Sequence, residues 1–100
     1  MILVAKIRAK QGSEKDLENA LTGLVKKVEA EEGTLHYILH KSLNDPQTFM
    51  FYEVYKDKEA LARHSVTEYF KETMKTIFPY LDGKPSIETY EEVSRTDKVK

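Results

Sequence analysis

The sequence predicts an α+β domain in which helices cover one face of a four-stranded antiparallel sheet. The chain is 100 residues long, which is the length of a single domain. Strand-like and helix-like patterns follow one another in the order β-α-β-β-α-β, which is the order of the ferredoxin-like split βαβ fold. The first and third strands are apolar on both faces, which is typical of central strands. Two right-handed crossovers then predict the strand order 4-1-3-2.

The first half of the chain reads as one strand and one helix. Residues 2–9 are apolar at first and then alternate, as expected for a central strand. Ser13 is a candidate helix N-cap, and Asp16 three residues later resembles a capping box. Gly33 is predicted to end the helix, and Gly23 within it suggests a close contact. The residues that follow Ser13 at helical spacing form one apolar stripe: Leu17, Ala20, Leu21, Leu24, Val25 and Val28.

The second half predicts a hairpin, two helices and a last strand. Residues 34–42 and 48–55 form the hairpin strands around a turn rich in Asn, Asp and Pro. Asp57 is expected to cap a short helix, and Thr67 a second helix. Residues 86–93 alternate as the last strand. The stripe of the second helix is Phe70, Met74, Ile77, Phe78 and Leu81. We expect a single domain over residues 1–94 and a C-terminal tail over 95–100.

Composition excludes several classes of function. The net charge is -1, which gives no electrostatic support for binding nucleic acid or an anionic membrane. There is no cysteine, so disulfides and thiolate chemistry are excluded. The opening apolar run is too short for a signal peptide, and nothing approaches the length of a membrane span. We therefore expect a cytoplasmic protein.

The third strand predicts an oligomer. Its side chains are apolar on both faces, whereas helices would cover only one face of the sheet. An uncovered apolar face of several hundred Å² is more than a monomer usually exposes. We therefore expect a homodimer in which two sheets pack face to face. The two faces carry Phe49, Phe51 and Tyr55 on one side, and Met50, Tyr52 and Val54 on the other.

The segment FMFYEVYKDKEALARH, residues 49–64, resembles the antibiotic biosynthesis monooxygenase family, whose members are dimeric α+β barrels. The resemblance rests on Phe51, Glu53 and Tyr55 in a strand, followed by a charged turn and a short helix that ends at His64. It implies a small-molecule pocket between the sheet and the helices. Several members of the family oxygenate electron-rich phenols or quinols without metal or flavin, whereas others isomerise small molecules or degrade haem.

Two departures from the family pattern affect the expected chemistry. Many members carry a second histidine shortly after the first, and this chain has Tyr69 at that place. The haem-degrading members use Asn, Trp and His where this chain has Ile7, Tyr55 and Met74. The chain contains no tryptophan at all. We therefore expect no haem and no other cofactor, with molecular oxygen as the co-substrate of a monooxygenase.

Glu53 and His64 are the candidate catalytic residues. Glu53 lies among aromatic residues, where desolvation raises the pKa of a carboxyl group. If Glu53 meets His64, it fixes the imidazole tautomer and leaves the other ring nitrogen free to move a proton. The alternative is an internal hydrogen bond that only ties the helix to the sheet.

Other aromatic and histidine residues predict a pocket but no metal site. Four residues along a strand separate His36 from His40, which is too far for one metal, so we expect solvent or interface positions. Three functions remain open: a cofactor-independent monooxygenase of a small aromatic or quinol-type substrate, a non-catalytic dimeric ligand-binding barrel, and a cofactor-free isomerase. The expected substrate-binding residues are Phe51, Tyr52, Tyr55, Tyr37 and Tyr69.

Overall fold

The structure is a computed structural model, and it describes residues 1–98. Residues 99 and 100 of the expected tail lie outside the described part. Four strands, three α-helices and one 3₁₀ turn follow in the predicted order. They are β1 (Ile2–Arg8), α1 (Glu14–Val28), β2 (Thr34–Lys41), β3 (Thr48–Tyr55), α2 (Lys58–Ser65), α3 (Glu68–Ile77), the 3₁₀ turn (Phe78–Tyr80) and β4 (Ser86–Tyr90).

The four strands form one antiparallel sheet in the order β2-β3-β1-β4. This is the predicted order 4-1-3-2, with β1 and β3 in the centre, and the ferredoxin-like α+β fold is confirmed. The register places Glu53 between Tyr37 of β2 and Leu3 of β1. It also places Ala5 between Phe51 and Ile87. These pairs build the part of the sheet on which the candidate site lies.

The helices pack on one face of the sheet, and the core lies between these two layers. Burial alternates along β3, so that its odd-numbered residues, from Phe49 to Tyr55, face the helices. The predicted stripe of α1 contributes four buried side chains, Leu17, Leu21, Leu24 and Val28. In the second stripe Ile77 is fully buried, but Phe78 is 76 % exposed because the chain turns into the 3₁₀ segment there.

Two expectations about glycine are corrected by the structure. Helix α1 ends at Val28 with Glu29 as its C-cap, so Gly33 does not end it. A methyl group at Gly23 would meet nothing within 4 Å, whereas one at Gly33 would lie 2.5 Å from the Cβ of Ala60. The close approach is therefore at Gly33, where the chain passes beneath α2.

The helix caps agree with the sequence in two cases out of three. Asp57 accepts a hydrogen bond from the backbone N–H of Ala60 at 2.8 Å, and Thr67 accepts one from Phe70 at 3.3 Å. Ser13 makes no side-chain cap, so the expected capping box is absent. A cap with such a side-chain hydrogen bond typically stabilises a helix by about 1 kcal/mol.

The second face of the sheet is covered by none of the helices of residues 1–98. Met50, Tyr52 and Val54 of β3 lie on this face, and all three are half-buried. Ile38 of β2, the register partner of Tyr52, is 43 % exposed. None of the helices among residues 1–98 has the length and apolar character that crossing a bilayer requires.

Candidate functional site

A chamber of about 130 Å³ lies between the helix-facing side of the sheet and helices α2 and α3. Its floor comes from β1 and β3, and its roof from the two helices. Pro85 and Ile87 line it at β4, where Ile87 is 63 % exposed, so the chamber opens toward this sheet edge. The remaining lining residues are Leu3, Ala5, Ile7, Tyr37, Phe51, Glu53, Leu61, His64, Ser65, Phe70 and Met74.

His64 lies on the chamber wall and is only 3 % exposed. It follows Ala60 by one turn on the buried face of α2, which Asp57 caps at its start. Its ring packs against three aromatic rings at centroid distances of 5.1 Å, 5.6 Å and 4.8 Å, namely those of Tyr37, Tyr55 and Phe70. The prediction that this histidine points inward is confirmed.

The hydrogen-bond partner of His64 is Glu31, which comes from the segment after α1. The Nδ1 atom of His64 lies 3.0 Å and 3.1 Å from the two carboxyl oxygens of Glu31. The Thr34 hydroxyl donates to the same carboxyl group at 2.7 Å, and the Tyr69 hydroxyl also donates to it. Burial opposes ionisation of this carboxyl, but the hydrogen bonds from Tyr69, Thr34 and His64 outweigh it and lower the pKa of Glu31.

An ionised Glu31 fixes the tautomer of His64. A carboxylate can only accept hydrogen bonds, so Nδ1 of the neutral imidazole carries the proton and Nε2 is left as an acceptor. The residues 1–98 offer Nε2 no hydrogen-bond partner. The arrangement therefore gives a histidine that can take a proton at Nε2 while Glu31 stabilises the resulting imidazolium.

Glu53 is buried, but it does not hold His64 as expected. Its Oε1 atom accepts a hydrogen bond from the Tyr55 hydroxyl at 2.5 Å, and the structure has no hydrogen bond between Glu53 and His64. Burial raises the pKa of Glu53 to about 7, the Tyr55 hydroxyl opposes the rise, and the negative charge of Glu31 adds to it. At neutral pH both the protonated and the ionised form of the Glu53 carboxyl group are therefore populated.

The five aromatic residues expected to bind substrate divide into two groups. Phe51 and Tyr37 line the chamber, with their ring centroids 4.7 Å apart. Tyr52 is corrected, because it lies on the other face of the sheet among residues of a different cavity. Tyr55 and Tyr69 do not line the chamber. Their hydroxyls donate hydrogen bonds to the carboxyl groups of Glu53 and Glu31, respectively.

Glu31 is the site residue that the sequence analysis missed. It belongs to the charged run after α1, which has the composition of a solvated helix end. Its contact with His64 joins positions 33 residues apart, so no local pattern could have revealed it. In the part of the chain that the structure describes, no three His, Asp or Glu side chains gather as metal ligands would.

Comparison with known proteins shows the family of the chain. The model of the family described as antibiotic biosynthesis monooxygenase matches residues 1–76. The chain belongs to this family. A curated relative named "Putative monooxygenase YcnE", from Bacillus subtilis (strain 168), is 30% identical over 71 residues, which are 71% of this chain and 75% of YcnE.

Solved structures of other proteins share the fold over nearly the whole chain. The crystal structure of PA3566 from Pseudomonas aeruginosa superposes with a TM-score of 0.87 at 32% identity and covers 93% of each chain. A crystal structure of an antibiotic biosynthesis monooxygenase gives a TM-score of 0.88 at 25% identity, covering 94% of this chain and 100% of the other. The resemblance found in residues 49–64 is therefore confirmed as family membership.

Proposed function

We propose that this family member is a cofactor-independent monooxygenase that oxidises a small aromatic or quinol-type substrate with molecular oxygen. The observation that carries the proposal is the buried His64 on the wall of a largely apolar chamber, with its Nδ1 hydrogen-bonded to the half-buried Glu31 outside that wall. Family membership and the relative named a putative monooxygenase support the reaction class.

His64 would act as the general base. Its Nε2 accepts the proton of a substrate hydroxyl, and the resulting phenolate is electron-rich enough to pass an electron to oxygen. For a single-ring quinol the balanced reaction is C₆H₆O₂ + O₂ → C₆H₄O₃ + H₂O. One oxygen atom becomes bonded to a ring carbon in place of hydrogen, and the other leaves as water. The substrate supplies all four electrons, because its two hydroxyl groups are oxidised to the quinone as well. The apolar walls exclude bulk water from these steps.

Glu53 would act at the other side of the substrate oxygen. Its Oε1 is held by Tyr55, and its Oε2 has no partner among residues 1–98. A protonated carboxyl group can donate a hydrogen bond to the substrate, whereas an ionised one would repel a phenolate. We therefore propose that the protonated form of Glu53 is the active one and that activity falls as pH rises above about 7.

Oxygen uptake tests the reaction. The wild-type protein is mixed with catechol, menadiol and anthrone, which span one to three rings, and isotope-labelled dioxygen shows whether one oxygen atom enters the product. His64→Ala should lower the rate by about 10²–10⁴-fold, which is the usual contribution of a general base. His40→Ala is the matched control, since His40 is exposed on the opposite sheet face and should leave the rate unchanged. Equal rates for His64→Ala and wild type would refute the proposal.

Glu31→Gln tests the tautomer. A glutamine amide can donate to Nδ1 as well as accept from it, so it no longer holds the proton on that nitrogen. We expect loss of rate by about 10²-fold or more with the fold retained. The tautomer is measured by the NMR shifts of the two ring nitrogens of His64, which differ between a protonated and an unprotonated nitrogen. Unchanged nitrogen shifts and an unchanged rate would show that Glu31 is only structural.

We also propose that the protein is a cytoplasmic homodimer whose uncovered sheet faces pack together. The half-buried apolar residues Met50, Tyr52 and Val54 on a face without helices support this arrangement. Val54→Glu should give a monomer in light scattering, because it places a charge in the interface. Val66→Glu is the control, since Val66 is 64 % exposed after α2 and away from that face. A wild-type monomer would exclude the dimer, and cell fractionation tests the location.

A further inference from the structure

Three of the polar side chains that line the chamber are gathered at one end. Tyr37 and Glu53 are register partners on β2 and β3, and the His64 ring lies 5.1 Å from that of Tyr37. The chamber floor continues across β1 to Ile87 of β4, about 14 Å from β2 at a strand spacing near 4.8 Å. Ser65 also lines the chamber, but its hydroxyl already donates to the Leu61 carbonyl at 3.0 Å. The other lining residues between these limits are apolar: Leu3, Ala5, Ile7, Phe51, Leu61, Phe70 and Met74.

Three polar atoms at this end have no protein partner among residues 1–98. They are Nε2 of His64, Oε2 of Glu53 and the hydroxyl oxygen of Tyr37. No side-chain nitrogen or oxygen in these residues is both sealed from water and without a partner, so the three atoms remain open to a small molecule. Burial and the negative charges of Glu53 and Glu31 raise the pKa of Tyr37, which stays a protonated donor. The site thus offers hydrogen-bonding groups of both kinds within one small region.

The volume limits the substrate to one ring. The chamber measures about 130 Å³, and a dry protein cavity of about 150 Å³ is known to hold benzene. Its floor consists of the two central strands, β1 and β3. Each is hydrogen-bonded to a neighbouring strand along both edges, so the floor is held in place and does not move to enlarge the chamber. A single ring with a small substituent fills this space up to the opening at β4, whereas a second fused ring would exceed the volume and press on the side chains that line it.

We propose that the substrate is a single-ring catechol, with its two adjacent hydroxyls at Tyr37, Glu53 and His64 and an apolar substituent directed toward β4. This inference rests on the proposed function for the role of His64. Adjacent hydroxyls place both oxygens within the polar end. A para-diol would leave its second hydroxyl among apolar side chains such as Met74 and Ile87, without a hydrogen-bond partner.

Anaerobic titration calorimetry tests the substrate class without turnover. The probes are 4-methylcatechol, hydroquinone and 2,3-dihydroxynaphthalene, which differ in where the hydroxyls lie and in ring number. We expect 4-methylcatechol to bind at least about tenfold more tightly than either of the others, since an unpartnered buried hydroxyl or an overpacked ring costs at least that factor. Equal or reversed affinities, or no binding of any probe, would overturn the inference.

Two variants connect the preference to the chamber. Tyr37→Phe keeps the ring contacts but removes one hydroxyl, and it should weaken 4-methylcatechol about tenfold. Met74→Ala enlarges the chamber and should raise the affinity for 2,3-dihydroxynaphthalene at least tenfold. Leu43→Ala is the control for Met74→Ala, because Leu43 is fully exposed in the turn between β2 and β3 and should leave both affinities unchanged. A Met74→Ala protein that still discriminates against the second ring would contradict the size argument.

The outcomes separate this inference from the proposed function. Tight catechol binding without oxygen uptake would reject the monooxygenase and keep the ligand class. Oxygen uptake with menadiol or anthrone, dependent on His64 but without catechol binding, would keep the monooxygenase and reject the single-ring catechol.

Discussion

Replacing Gly33 with alanine should push helix α2 away from the sheet. A Cβ atom at this position would lie 2.5 Å from the Cβ of Ala60 and 3.2 Å from Nη2 of Arg63. Carbon atoms pack at about 3.5–4.0 Å, so the two methyl groups must separate by at least about 1 Å. The Arg63 side chain can swing away, but the methyl group of Ala60 has no torsion that would relieve the contact. The backbone of α2 must therefore move.

The expected cost follows from this displacement. Overpacking of this kind destabilises a protein by about 1–3 kcal/mol. In a domain of this size each kcal/mol lowers Tm by about 4–8 °C. His64 follows Ala60 by one turn on the same helical face, so its ring also moves relative to Glu31. A displacement of about 1 Å in a catalytic group can cost about 10²-fold in rate, so the folded variant should also lose activity by about this factor.

Urea unfolding and oxygen uptake measure the two effects. Gly23→Ala is the matched control, because it lies inside α1 with nothing within 4 Å of an added methyl group. It should stabilise the protein by about 0.5–1 kcal/mol through helix propensity. Gly33 has no positive φ, so backbone strain does not contribute to the comparison. If Gly33→Ala unfolds at the same urea concentration as wild type, the close packing of α2 on this segment is refuted.

Two further predictions concern a buried carboxyl group and the helix caps. The pKa of Glu53 rises from an ordinary 4.5 to about 7, so its contribution to stability is complete below pH 4.5 and is lost as pH rises through 7. Glu53→Gln keeps an acceptor for the Tyr55 hydroxyl but cannot ionise. In urea unfolding its free energy of unfolding should therefore exceed that of wild type by an amount that grows between pH 5 and pH 8 and reaches about 3 kcal/mol. A difference that stays constant over this range would contradict the raised pKa of Glu53. Asp57→Ala should cost about 1 kcal/mol in thermal unfolding because it removes the cap of α2. Ser13→Ala should stay within about 0.5 kcal/mol because Ser13 caps nothing, and equal losses would show that the caps are misassigned.

The sequence alone determined the fold through local patterns that tertiary contacts did not override. Apolar side chains on both faces of the first and third strands predicted their central places, because a central strand has a neighbouring strand along each edge and is less exposed than an edge strand. Asp57 and Thr67 predicted helix starts correctly, since a cap joins a side chain to a backbone N–H three residues away. The alternation along β3 also put Glu53 on one face with Phe51 and Tyr55, and Tyr52 on the opposite face.

The tertiary structure alone decided the partners within the site. His64 is buried as the helical pattern predicted, but its hydrogen bond goes to Glu31 rather than to Glu53. Glu53 instead bonds Tyr55, its neighbour on the same strand face. The sequence shows which residues face the interior, because strand and helix periodicity are local. It does not show which buried groups meet, because that depends on how distant segments such as the end of α1 and helix α2 are brought together.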